Sequence, residues 1–318
     1  MMGYSRRMRT RMSRRGFLGS ISAATLLPAG MLAGLCRRAG AAEQKLSAEP
    51  LADGLVWIRG AGANLLALRD GDGLLFIDGG LEAHAAEVLK LAQQKLGAGR
   101  ANTLFNTHWH HEHTGLNERL GKAGATIIAH EQTRLWLSTK VRYQPDDPPI
   151  LPLPLYARPN KTTWTGGELQ AGGQQLIWGY MAQAHTDGDI YVKLAAANVL
   201  VTGGVVAGNG WPTPDWVTGG YITGTVNGYR TLLAQCDDAT RVVTAYGDRL
   251  YTRADLQTEF DILSKLNNEL SKMMRAGFGP QDMLAAEPAK DYAAQLGDPT
   301  HFLMESFKSL WPRLAPDA

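Results

Sequence analysis

The stretch "FNTHWHHEHTG", residues 105–115, decides how this chain is read. His108, His110, His111, Glu112 and His113 fall within six positions. Imidazole nitrogen is a common zinc ligand, and catalytic zinc sites use three protein ligands with one position open. His108 and His110 are two apart, so in an extended segment they share a side and His111 points away. A turn straight after the strand then carries Glu112 and His113 to a neighbouring position. Two surface histidines at this spacing are common without a metal. Four histidines and a carboxylate at a strand end, followed by Thr114-Gly115, favour a metal site.

The surroundings fit that placement. Upstream, "GLVWIRG", "NLLALRD" and "LLFIDGG" have the length and apolar content of strands, with a turn at "DGDG", residues 70–73. Residues 82–96 have helical periodicity and stop at Gly97. "NTLFNTH" is a strand that ends in the histidine cluster, and "ATIIAHE" is another, followed by a short helix. The proline-rich segment 141–161 predicts no regular structure; it is either a surface connection or a loop over a pocket. Further strands are expected in "GELQAGGQQLIWGYM", "IYVKLAAANVLVTGG" and "RVVTAY", with helices near 225–236, 253–275 and 300–310. Two β-rich halves with interspersed helices predict one α+β domain over residues 43–318, two facing sheets with helices outside.

Charge divides the chain in two. Residues 1–42 hold eight arginines and no acid, leaving 24 basic against 30 acidic residues in the remainder. That mildly acidic body gives no reason to expect nucleic acid as a partner. "SRRGFL" at 13–18, an apolar stretch to Leu35 and the small residues of "RRAGAAE" resemble a twin-arginine export signal, residues 1–42, cleaved after Ala41 or Ala42. The expected partners are the twin-arginine machinery and a small-molecule substrate, with no stable membrane anchor after cleavage. The expected location is periplasmic or secreted. Cys36 leaves with the signal, so Cys236 has no disulfide partner and reads as a small buried residue.

"THWHHEHTG" resembles the T-H-x-H-x-D-H-x-G signature of the metallo-β-lactamase superfamily, and "AHTDGD", 184–189, resembles its second histidine motif. The resemblance spans about residues 50–255 and implies the αββα sandwich, with mixed β-sheets and a metal site at the edge between them. Carried over by residue, it makes His108, His110 and His185 the ligands of the first metal. The second site departs from the pattern. Glu112 replaces an aspartate, His113 is retained, Gly204 stands where a bridging aspartate is usual, and Tyr246 stands where a last histidine is usual. The expectation is therefore one zinc per chain. Iron or a second zinc remains an alternative, with Glu112 and His113 as a possible second site helped by Asp187 or Asp248.

The implied function is a metallo-hydrolase in which metal-bound hydroxide attacks an ester, amide or lactone, with Glu112 as the catalytic base or the group that orients water. The alternative is a non-catalytic metal- or ligand-binding member that has lost the second site. Redox chemistry with iron ranks last, since Gly204 removes the main carboxylate ligand. Trp109 and Trp211 are candidate substrate contacts, and Trp216 lies in the same "GNGWPTPDWVTGG" loop as Trp211. Each could equally pack on the core. His84, His130 and His301 read as surface or packing residues, and Thr186 and Asp189 as turn residues or supports of the ligands.

Overall fold

The computed structural model describes residues 45–314, so the stretch that resembles an export signal and Cys36 lie outside the described residues. Seven strands form one sheet in the order β1 to β7: Ser47–Ala52, Leu55–Arg59, Leu65–Asp70, Gly73–Ile77, Arg100–Phe105, Thr126–His130 and Lys161–Thr163. The first four pair antiparallel and the rest parallel. Five strands form the second sheet, β8 (Gly166–Ala171), β9 (Gln174–Met181), β10 (Asp189–Leu194), β11 (Val199–Val201) and β12 (Arg241–Val243). Its order is β12-β11-β10-β9-β8, with only β11 and β12 parallel.

The sheets face one another and helices cover both outer faces, as the αββα reading requires. β4 shows why its sequence is continuously apolar. Leu75 and Ile77 pack between the sheets with Leu176 and Val192, whereas Leu74 and Phe76 pack outward beside Val88 and Ala92 of the helix Ala85–Leu96. A strand buried on both faces cannot alternate apolar with polar residues. The helices Ile222–Ala234, Arg253–Arg275 and Thr300–Leu314 bury Tyr229, Leu263 and Phe307 in one cluster with Leu200 and Val242 of the second sheet. No helix among the described residues is long and apolar enough to cross a membrane.

Four local features differ from or add to the sequence reading. β1 is a mostly exposed edge strand broken near Pro50, so it lacks the apolar signal of an inner strand. The helix expected from residue 225 starts at Ile222, and His84 lies in the 3₁₀ turn Glu82–His84, ahead of its helix rather than within it. The segment 141–161 carries one isolated bridge, Val141 to Ile150, and the 3₁₀ turn Leu155–Ala157 before β7 takes its last residue.

Candidate metal centre

β5 ends at Phe105, so strand alternation does not bring His108 and His110 together; the loop beyond the strand does. Asp78 shapes that loop. Its carboxylate accepts from the Thr107 backbone N–H and the Thr107 hydroxyl, each at 2.8 Å, and from His113 Nδ1 at 2.8 Å. His110 then precedes the single helical turn His111–Thr114. His185 arrives from the other sheet, in the loop between β9 and β10. Each of His108, His110 and His185 offers one ring nitrogen to a shared point, these atoms lying within 4.8 Å of one another. The rings stand nearly perpendicular in pairs, at 76°, 86° and 87°.

The outer nitrogens fix the tautomers. His110 Nε2 donates to Asp215 Oδ2 at 3.0 Å, and His185 Nδ1 donates to the Thr213 carbonyl at 2.8 Å. The Thr107 hydroxyl gives its proton to Asp78, so its oxygen accepts from His108 Nδ1 at 3.1 Å. The inner atoms are therefore lone pairs. His108 Nε2 is buried without a hydrogen-bond partner, and His110 Nδ1 lies 3.1 Å from His185 Nε2. Two acceptors so close repel unless a cation sits with them. Outer nitrogens held by carboxylate or carbonyl are the usual support of metal-binding imidazoles. The residues fit a metal ion.

Electrostatics agree. Burial, then the neighbouring imidazoles, hold His108 well below its ordinary value. Burial and the His110 charge bring His185 down to about 4. Burial disfavours charge on His110 too, but its hydrogen bond to Asp215 and the charges of Glu112 and Asp215 outweigh it and raise its pKa. Glu112 is lowered to about 2, because His110, His113 and His111 outweigh the cost of burying its charge.

Asp215 is the functional residue that sequence reading missed. Besides His110, it accepts from Tyr143 OH at 3.0 Å, from Thr218 Oγ1 at 2.6 Å, and from the backbone N–H groups of Val217 and Thr218. Burial would raise its pKa, but the His110 hydrogen bond and charge and the Thr218 hydroxyl pull it down to about 2. Tyr143 brings the proline-rich segment to the back of the centre, so part of that connection reaches the site.

Glu112 stands beside the centre and its Oε1 accepts from Tyr246 OH at 2.8 Å. His113 is fully buried, with Nδ1 on Asp78 and Nε2 unpartnered. Asp187 accepts from Trp136 Nε1, and the Asp248 carbonyl accepts from Arg59. Neither joins a metal-holding group among the described residues. Trp109, expected at the mouth, is 3% exposed and its indole donates to Thr218 Oγ1, so it braces the loop that carries Asp215. Trp211, the other candidate substrate contact, is 9% exposed. It stacks on Phe302 at 4.7 Å and donates to the Gly297 carbonyl, because the helical layer offers that indole a flat apolar face. Trp216 is 38% exposed on the surface. Thr186 and Asp189 bond each other and close the turn after His185. His130 caps the helical turn Glu131–Trp136 and stacks on Tyr180, while His301 is exposed.

The family model of the metallo-beta-lactamase superfamily matches residues 59–253. Among curated proteins, none matches the sequence. The fold is similar to that of a metallo-beta-lactamase from Pontibacter korlensis, at 18% identity and a TM-score of 0.56, covering 69% of this chain and 99% of that one. It is also similar to a metallo-beta-lactamase from Erythrobacter litoralis with beta mercaptoethanol in its active site. There the identity is 18% and the TM-score 0.52, covering 69% of this chain and 96% of that one. With that match spanning most of the chain, and the two sheets and three converging histidines in place, the protein belongs to the metallo-β-lactamase superfamily.

Proposed function

We propose that this protein is a metal-dependent hydrolase that works with a single zinc ion on a small ester, amide or lactone. The observation that carries the reading is the set of inward lone pairs on His108, His110 and His185, each fixed by a partner on the far side of its ring. A zinc ion held by three imidazoles lowers the pKa of water from about 15.7 to about 7. The chain's own residues do the rest. Asp215 and the Thr213 carbonyl keep the His110 and His185 rings aimed inward. Glu112 stays ionised throughout the neutral range. A carboxylate at about 2 is a weak base near neutral pH, so Glu112 orients water by accepting its hydrogen bond rather than by keeping its proton.

The twin-arginine segment supports export of the folded, metal-loaded chain to the periplasm or beyond. The test is a screen of the zinc-loaded mature chain against chromogenic esters, lactones, thioesters and β-lactams. We expect hydrolysis of at least one class, lost in His108→Ala and slowed at least tenfold in Glu112→Gln. Equal rates for wild type and Glu112→Gln on every substrate found would sink the reading.

A further inference from the structure

The space beside the three-histidine group is furnished without a second ion, an argument that rests on the single-metal reading above. Gly204 limits one side. A Cβ there would stand 2.2 Å from His185 Cδ2 and 2.8 Å from its Nε2. No carboxylate can occupy position 204 without pushing a ligand ring out of place. Tyr246 fills the other side, and its backbone is held firmly. Its N–H donates to the Ala207 carbonyl at 2.9 Å, and its own carbonyl accepts from Thr244 Oγ1 at 2.6 Å. Asn64 Nδ2 bonds the carbonyls of Thr244 and Gly247 on either side of it. Gly208, at φ +81°, lies so close that an added Cβ would meet Thr244 Oγ1 at 2.1 Å and the Tyr246 carbonyl at 2.5 Å. The phenol is thus delivered to Glu112 Oε1 from a rigid turn.

What is left could not hold a cation well. His113 Nε2 is one buried, unpartnered nitrogen. Glu112 is already engaged through Oε1, with Oε2 3.3 Å from the exposed ring of His111. A bound ion needs several ligands in suitable geometry. A half-buried carboxylate, for its part, is stabilised by a donor, and a neutral hydroxyl supplies one as a cation would.

We propose that Tyr246 is a positioning residue standing in place of a second metal ion: its hydroxyl pins Oε1 of Glu112 and, with His111 beside Oε2, holds the carboxylate at the edge of a one-metal centre. Tyr246 and the side-chain-free position 204 are then two halves of one design, since neither supplies a metal ligand and the phenol meets Glu112 where a cation would otherwise stand.

The test reads metal content and anion binding, neither of which requires turnover. Mature chain is loaded with zinc for elemental analysis and with cobalt for titration by azide, followed in the visible ligand-field spectrum. Wild type and Tyr246→Phe should each hold about one equivalent of metal. In Tyr246→Phe the released carboxylate swings towards the open coordination position and repels the anion, weakening azide binding about three- to tenfold. In a Glu112→Gln background the same Tyr246→Phe change should have no effect, an outcome that loss of packing alone would not give. Tyr246→Phe keeps the ring; if it fails to fold, Glu112→Asp, whose shorter arm keeps the charge but cannot reach the phenol, should weaken azide by a similar factor. Two equivalents in wild type and one in Tyr246→Phe would make the tyrosine a ligand of a second ion and overturn the proposal. So would an azide effect that is absent, or that is equal in both backgrounds. Binding of no metal would overturn both readings, whereas one equivalent with the predicted cycle but no hydrolysis would overturn the function alone.

Discussion

Asp215 holds His110 by a hydrogen bond to its outer nitrogen. Its carboxylate takes the Nε2 proton of His110 while four other donors hold it in place. Replacing Asp215 with Asn keeps an acceptor and removes the charge. We expect zinc to bind about ten- to a hundredfold more weakly, measured by competition with a chromophoric chelator. The same pair sets the pH dependence. In the metal-free protein His110 is the first of the three ligands to take a proton as pH falls, because its pKa is raised while His185 sits at about 4 and His108 lower still. Zinc must displace that proton. Affinity should be flat above the raised pKa and fall about tenfold per pH unit below it. Asp215→Asn should move the break to lower pH, since it removes the partner that favours the charged ring. His108 and His110 were legible in the sequence because they sit side by side in a dense cluster, and His185 because "AHTDGD" marks it. Asp215 was not, because an aspartate in "WPTPDW" carries no pattern of its own and meets His110 only across 105 positions.

At the scale of elements, two loops pressed together build the second half of the centre. The Asp215 N–H donates to the His185 carbonyl at 2.7 Å, and the Tyr221 N–H donates to the Gln183 carbonyl at 3.1 Å. Gly220 makes the approach possible: a Cβ there would lie 2.1 Å from the His185 carbonyl oxygen and 2.7 Å from the Asp215 nitrogen. Gly220→Ala should destabilise the fold by about 1–3 kcal/mol, seen as a lower denaturant midpoint, and should weaken zinc binding in parallel. Such closeness is invisible in a sequence, where the segment reads only as rich in Gly and Pro. The long helix Arg253–Arg275 was legible to its ends. Its buried residues recur at helical spacing, and Thr252 with Asp255 closes a capping box at its start. β7, three residues long, had no such signal and is a strand only because β6 lies alongside. The two-apart spacing of His108 and His110 gave a right conclusion from a wrong route, since a loop clamped by Asp78 carries them.

Across the whole molecule, the ligands are divided between the layers. His108 and His110 follow a strand of the seven-stranded sheet, and His185 follows a strand of the five-stranded one. An ion that binds the folded chain alone stabilises it by about 2.7 kcal/mol at a hundred times its dissociation constant. For a domain of this size that corresponds to a rise of about 5–10 °C in Tm. Differential scanning calorimetry should show it on adding zinc to wild type, and should show none in His108→Ala. The division has a kinetic side as well. With an ion bound, the sheets could not part until one side let go of it, and the two motifs that would grip it are joined only when the sandwich is already closed. Zinc should therefore act as a brake on opening and leave the forward rate of assembly alone. A chelator would then shorten the lifetime of the folded chain, and with it its survival against added protease, without changing how fast the chain folds.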